Sequence, residues 1–137
     1  STGQIQSLST DQVKGLQAAQ ITALSTDQIK VLGTGQIANL ETSQVKALTA
    51  GQLGAMSTAQ IAAIETQDLE QLTAAQIKGL TTDGVKALTT GQIGAMKYAQ
   101  IAALSTDQVR SIETADVAAL TRSEERRVGK ECLRLCR

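Results

Sequence analysis

The stretch Leu24-Ser25-Thr26-Asp27-Gln28-Ile29-Lys30-Val31-Leu32 decides how this chain folds, because a close copy of it begins every eight residues. Ser25 is a residue type that caps helix N-termini. Gln28, three positions on, can reach back to the N–H of Ser25 and close a capping box. Leu24 before the cap and Ile29 five residues later stand where a hydrophobic staple needs them. Asp27 falls in the first turn and Lys30 near the last, each at the end of the helix dipole that suits its charge. A new start signal every eight residues predicts a string of very short helices, each restarted by the next cap.

Two columns fix the register. The first runs Leu8, Leu16, Leu24, Leu32, Leu40, Leu48, Met56, Ile64, Leu72, Leu80, Leu88, Met96, Leu104, Ile112 and Leu120. The second runs Ile5, Val13, Ile21, Ile29, Ile37, Val45, Leu53, Ile61, Leu69, Ile77, Val85, Ile93, Ile101, Val109 and Val117. No member of either column is polar, and together they mark about fifteen units, which identifies a repeat architecture. A strand would point Leu24 and Ile29 to opposite faces, whereas a helix puts Ile29 and Leu32 on one face. One continuous helix fails as well. Eight residues at ~100° each leave ~80° of rotation per unit, and the apolar stripe would wind around every side.

Within each unit the cap is Ser, Thr, Glu or a small residue, as at Ser9, Ser25, Gly33, Ser57, Thr73, Thr81, Thr89 and Ser105, and a Thr that could cap instead usually follows. Near the unit's end comes a small residue, among them Gly15, Ala23, Ala47, Ala55, Ala63, Gly79, Ala87, Ala95, Ala103 and Ala119, suited to a sharp corner and close approach of neighbours. A helix of about six residues is not stable alone in water, so stacking must supply the remainder and the units should be interdependent. Lys14, Lys30 and Lys46, sixteen apart, hint at two units per coil. The expected fold is an all-α solenoid of short helices, one per octad, over residues 1–121.

Composition narrows the function classes. Tyr98 is the only aromatic residue of the 137, and there is no Pro, Trp, Phe or His. That suits a repetitive scaffold better than a pocket. Residues 1–121 carry a net charge of −3 and residues 122–137 a net of +3, so the repeats lack the basic face that nucleic acid favours. No apolar run approaches the ~20 residues that span a bilayer. The chain opens inside a unit, at Ser1-Thr2-Gly3-Gln4-Ile5, as a fragment or mature segment of a longer protein would.

The main polar feature is a column of Gln4, Gln12, Gln20, Gln28, Gln36, Gln44, Gln52, Gln60, Gln76, Gln92, Gln100 and Gln108, interrupted by Asp68, Gly84 and Asp116. It could be a ladder of amides for a repetitive ligand. The reading favoured by the spacing is structural: caps, plus amide hydrogen bonds between neighbouring units. Asp68 and Asp116 could still accept a cap hydrogen bond; Gly84 could not. The periodic Thr and Ser hydroxyls, which could face ice, glycan or mineral, are read as caps. No calcium loop is present. Cys132 and Cys136 have no His with which to complete a zinc site. The glycines form no phosphate loop, and a Ser-His triad is excluded by the absence of His. Tyr98 reads as a surface substitution. No catalytic, cofactor-binding or metal-binding residue is assigned, and no cofactor is expected.

The unit Leu8 to Leu16, L-S-T-D-Q-V-K-G-L, resembles the opening helix of a transcription-activator-like effector repeat, L-T-P-x-Q-V-V-A-I, in its leading Leu, cap, Gln and Val. The Pro, the second helix and the base-reading pair of that family have no counterpart here, so its DNA binding does not transfer. Over residues 1–121 the L-[ST]-T-x-Q-[IV]-x-A-L array resembles segments of very large bacterial exoproteins of the adhesion and heme-utilisation type. That resemblance implies an extracellular or cell-surface setting and carries no site residue; no His or Tyr pair supports heme ligation. Arg122-Ser-Glu-Glu-Arg-Arg-Val-Gly-Lys-Glu-Cys132 leaves the repeat pattern. It resembles the conceptual translation of a sequencing adapter, the alternative being a basic C-terminal cap, and it is set aside from the fold argument. The expected function is a non-catalytic spacer, stalk or adhesive scaffold of a larger secreted or surface protein, with a protein or cell-surface ligand as partner. The alternative is a scaffold recognising peptide or nucleic acid along its groove.

Overall fold

A computed structural model of the chain describes residues 1–112. The fifteenth unit with Asp116, Val117 and Leu120, the boundary at residue 121 and the tail from Arg122 lie outside the described residues. The described chain is a succession of short helices: α1 (Thr2–Gln6), α2 (Thr10–Lys14), α3 (Ala18–Thr22), α4 (Thr26–Lys30), α5 (Thr34–Ala38), α6 (Thr42–Ala47) and α7 (Ala50–Ala55). It continues with α8 (Thr58–Ala62), α9 (Thr66–Leu69), α10 (Ala74–Lys78), α11 (Thr82–Lys86), α12 (Thr90–Ala95), α13 (Tyr98–Ala102) and α14 (Thr106–Ser111). One helix per octad, with no strand among the described residues, makes this an all-α solenoid.

Each helix stops for a local reason. The residue after it often keeps a right-handed helical backbone, as Gly15 does at φ −75°, ψ −6° and Ala63 at φ −80°, ψ −11°. The column Leu then tightens the last turn by donating its N–H three residues back, as Leu16 does to Val13 at 3.1 Å and Leu32 to Ile29 at 3.2 Å. Extended backbone follows. Leu48 (φ −61°, ψ 132°) and Met56 (φ −68°, ψ 145°) show it at the column position, and the next cap residue is extended in every unit from Ser9 on. Two extended residues therefore make the corner. No described residue has a positive φ, so the corner needs no glycine. Ala and Asn serve as well as Gly15, and small side chains at this place answer to space rather than to backbone conformation.

The corners wind the helices into a coil whose neighbours along the axis lie three units away in sequence. α1 packs on α4, α2 on α5, α3 on α6, and so on to α11 on α14. The two units per coil hinted at by Lys14, Lys30 and Lys46 are corrected by this packing. With two units per coil, α1 would sit beside α3; the contacts instead place α4 over α1.

The coil's interior is the second column. Ile21, Ile29, Ile61, Leu69, Ile77 and Ile93 are 0% exposed, and the Leu/Met column from Leu32 to Met96 closes around them as one continuous core. Leu8, Leu16 and Leu24, and Ile101, Leu104 and Ile112, are half-buried and pack against this core. The helices are too short to persist unsupported, so each holds its shape through what lies above and below it.

Candidate functional site

The Gln column is the one polar feature that runs the length of the described solenoid. Its side chains do two things at once. The Oε1 of each Gln accepts from the N–H of its own cap residue. Gln12 accepts from Ser9 at 2.8 Å, Gln28 from Ser25 at 2.8 Å, and Gln60 from Ser57 at 2.8 Å. From Ser9 on, where the cap is Ser or Thr, its hydroxyl accepts in return from the Gln backbone N–H, at 3.2 Å from Gln12 to Ser9 and from Gln60 to Ser57. Where the cap is Gln17, Gly33, Glu41 or Lys97, only the half made by the Gln side chain is present.

From Gln36 onward the other end of the amide is used as well. Nε2 donates to the carbonyl of the column residue 28 positions earlier: Gln36 to Leu8 at 2.6 Å, Gln44 to Leu16 at 2.6 Å, Gln52 to Leu24 at 2.7 Å and Gln60 to Leu32 at 2.7 Å. Gln76 reaches Leu48, Gln92 Ile64, Gln100 Leu72 and Gln108 Leu80 in the same way, at 2.6–2.8 Å. Several also reach a second carbonyl 31 positions back, as Gln60 does to Ile29 and Gln100 to Leu69, both at 2.8 Å. These acceptors are the carbonyls that a helix end leaves without an intrahelical partner. One amide thus caps the start of its own helix and the end of a helix one circuit below. The 28-residue step joins the fourth residue of one unit to the last residue of another, while the helices themselves stack three octads apart.

No backbone–backbone hydrogen bond joins the coils among the described residues; all of them span four residues or fewer. The polar seam between coils is carried by side chains: the Gln amides, the Thr22 hydroxyl donating to Ala47 C=O at 2.9 Å, and the Thr42 hydroxyl donating to Asp68 Oδ1 at 2.6 Å. The one ion pair among the described residues, Lys30 with Asp27 at 3.6 Å on an exposed face, adds little. Amide bonds between units are present as the sequence reading expects, but the neighbour is one circuit away rather than the next octad.

The interruptions behave differently from one another. Asp68 could have accepted a cap hydrogen bond; the structure instead turns its carboxylate to Thr42 in the coil below, and α9 has no capping box and is the shortest of the described helices. The Asp side chain is one methylene shorter than Gln and has no donor to offer. By register its acceptor would be Leu40 C=O, which therefore receives no amide. A cavity of about 540 Å³ opens there, lined by Lys14, Leu40, Glu41, Thr42, Glu65 and Asp68 among others. No three carboxylates, cysteines or histidines converge into a metal-holding group among the described residues. Gly84 leaves Thr81 to accept from its N–H at 3.0 Å, with nothing reaching back to the Thr81 N–H. Tyr98 is 67% exposed, as a surface substitution would be.

The close approach of neighbours expected at small residues such as Gly79 is present, with partners that the sequence did not name. A Cβ on Gly79 would stand 2.6 Å from both Cβ and carbonyl oxygen of Ala50, and one on Gly54 would stand 2.6 Å from Gly79 O. α7 and α10 meet there backbone to backbone. The signal was the coincidence of small residues at 50, 54 and 79, legible only once the circuit length is known.

No curated protein and no solved structure matches the chain. No described helix is long and apolar enough to cross a membrane. The sequence model of the ALTTAQ repeat matches three successive stretches, residues 13–42, 37–64 and 61–98, over the part of the solenoid where the Gln ladder is built, and the chain belongs to the ALTTAQ repeat family.

Proposed function

We propose that this array is a non-catalytic spacer, a stalk or adhesive scaffold within a larger secreted or surface-exposed bacterial protein. The observation that carries this reading is the use of the Gln column. From Gln36 onward each Gln of the column is buried, with Oε1 bound to its own cap and Nε2 to the coil below. The side chains that a repetitive ligand would read are spent on holding the coil together. What remains exposed among the described residues is Thr, Ser, Gln, Ala, Gly and scattered charge with a single Tyr, poor in the aromatic and Arg anchors that make interfaces. The match to a repeat family supports a structural segment.

A second reading, a scaffold that recognises a peptide, draws on the cavity at Asp68. Its carboxylates, Glu41, Glu65 and Asp68, outnumber its one cation, Lys14, and favour a basic segment over nucleic acid. Titrating the full chain with Lys- and Arg-rich peptides and with duplex DNA separates the two. The spacer reading expects no saturable binding to either. Peptide binding that Asp68→Gln abolishes would replace it.

A further inference from the structure

The Gln ladder is not equally dense along the array. Gln44, Gln52 and Gln60 tie α6, α7 and α8 to the coil beneath, and Gln92, Gln100 and Gln108 tie α12, α13 and α14 to theirs. Where α9, α10 and α11 lie on α6, α7 and α8, only the amide of Gln76 crosses, to the Leu48 and Lys46 carbonyls at 2.6 and 3.0 Å. Asp68 and Gly84 stand where the other two amides would be, one on each side of Gln76. By register they leave the Leu40 and Met56 carbonyls without a donor among the described residues. The Thr42–Asp68 hydrogen bond replaces one link, and no side chain replaces the other at Gly84. Described coils lie both above and below this seam, so what it lacks follows from residues 68 and 84 alone.

What does hold the seam gathers on α10. Besides the Gln76 amide, α10 meets α7 backbone to backbone through Gly79, Ala50 and Gly54. With no side chains between them to give way, these two helices are held at a fixed separation. The Asp68 cavity opens elsewhere, along the corner from Ala38 to Thr42 that joins α5 to α6, against the start of α9. That corner belongs to the other two columns of stacked helices, across the coil from α7 and α10.

We infer that this seam is a hinge. The parts on either side, residues 1–64 and 65–112, rock about the α7–α10 contact, and the cavity at Asp68 takes up the movement. The aliphatic core runs through the seam unbroken, so the parts stay joined as they rock. Apolar contact is non-directional, whereas a hydrogen bond prefers one angle. Two missing amides therefore free the angle between the parts, while the seams above and below keep three each. Such a rod bends at one place rather than along its length. The inference goes beyond the spacer reading and does not depend on it.

Spin labels in pairs test it, in the full chain carrying Cys132→Ser and Cys136→Ser. Ala59 and Asp83 are exposed at the second position of α8 and α11, across the seam. Asp83 and Asp107 hold the same places across the seam above, and Gly51 and Ala75 across the α7–α10 contact. Each pair is replaced by cysteine, labelled, and read by dipolar broadening in frozen solution. The distance distribution of the Ala59/Asp83 pair should be about twofold wider than those of the other two, as a loosely bonded seam beside firm ones requires. Adding Asp68→Gln and Gly84→Gln restores the two amides and should narrow it to match them, with helicity by circular dichroism unchanged. If Gly84→Gln costs helicity, Asp68→Gln alone with labels at Ser43 and Gln67 should show the narrowing on α6 and α9. Equal widths for the three pairs, a wide Gly51/Ala75 pair, or a width that the restored amides leave unchanged would each overturn the hinge.

Discussion

Gln12 and Gln60 occupy the same position in nearly identical units, Ser9-Thr-Asp-Gln12 and Ser57-Thr-Ala-Gln60, and make the same bonds to their own caps. Gln12 lies in the first circuit, with nothing beneath it among the described residues, and is exposed. Gln60 lies two circuits in, is 2% exposed, and also binds Ile29 and Leu32 carbonyls. The difference separates the two jobs of one amide. Capping is local and complete in any unit. Cross-coil bonding exists only where a coil lies below, and it is what turns a series of capped turns into a cooperative rod.

The severest way to probe that division is Ile61→Asp. Ile61 is 0% exposed in the core, and an unpaired carboxylate there should cost about 4 kcal/mol or more. Loss of helical signal should spread across several units, and confinement to one octad would show that the coils do not support each other. Next comes Gln60→Glu, which keeps the cap acceptor but points an anion at two carbonyls. It should cost ~2–3 kcal/mol in chemical denaturation, with Gln12→Glu within ~0.5 kcal/mol of wild type. Burial beside those carbonyls raises the pKa of the carboxyl introduced at position 60, so the folded state binds the proton more tightly than the unfolded one. Stability of that variant should therefore fall as pH rises through the raised value and recover in acid. Equal costs at the two positions, at all pH, would erase the distinction between local capping and cross-coil bonding.

Smaller effects sharpen it. Gly79→Ala forces a Cβ into Ala50 and should lose ~1–3 kcal/mol. Gly15→Ala meets only ordinary contacts at 3.5 Å and should be neutral or gain up to ~1 kcal/mol, since its backbone is already helical. Thermal melts of the pair would show whether crowding between α7 and α10 is real. Smallest, Asp68→Gln should restore an amide to the Leu40 carbonyl and raise stability by ~1 kcal/mol. A loss instead would mean that the Thr42–Asp68 bond is worth more than the ladder it interrupts.

Much of this was legible in the residues. Leu24, Ser25, Gln28 and Ile29 specify a helix start through contacts within one unit, and such contacts need no knowledge of what lies elsewhere. The two unbroken columns pointed to the all-α solenoid for the same reason, since periodicity alone assigns a face. The 28-residue bond from Gln60 to Leu32 was not legible, and neither was the identity of the residues, Ala50 and Gly54, that Gly79 approaches. The sixteen-residue spacing of the lysines pointed to the wrong circuit because Lys14 and Lys30 are exposed and take no part in the seam.

The sequence by itself determined where each helix begins and which aliphatic side chains face inward, because these depend on backbone and side-chain contacts within about eight residues. Only the tertiary structure decided how many units complete a circuit, what the second half of each Gln amide binds, and where Asp68 opens a gap. Those follow from the rotation that every corner adds, and a rotation accumulated over about three corners is a sum of dihedral angles that no single octad displays.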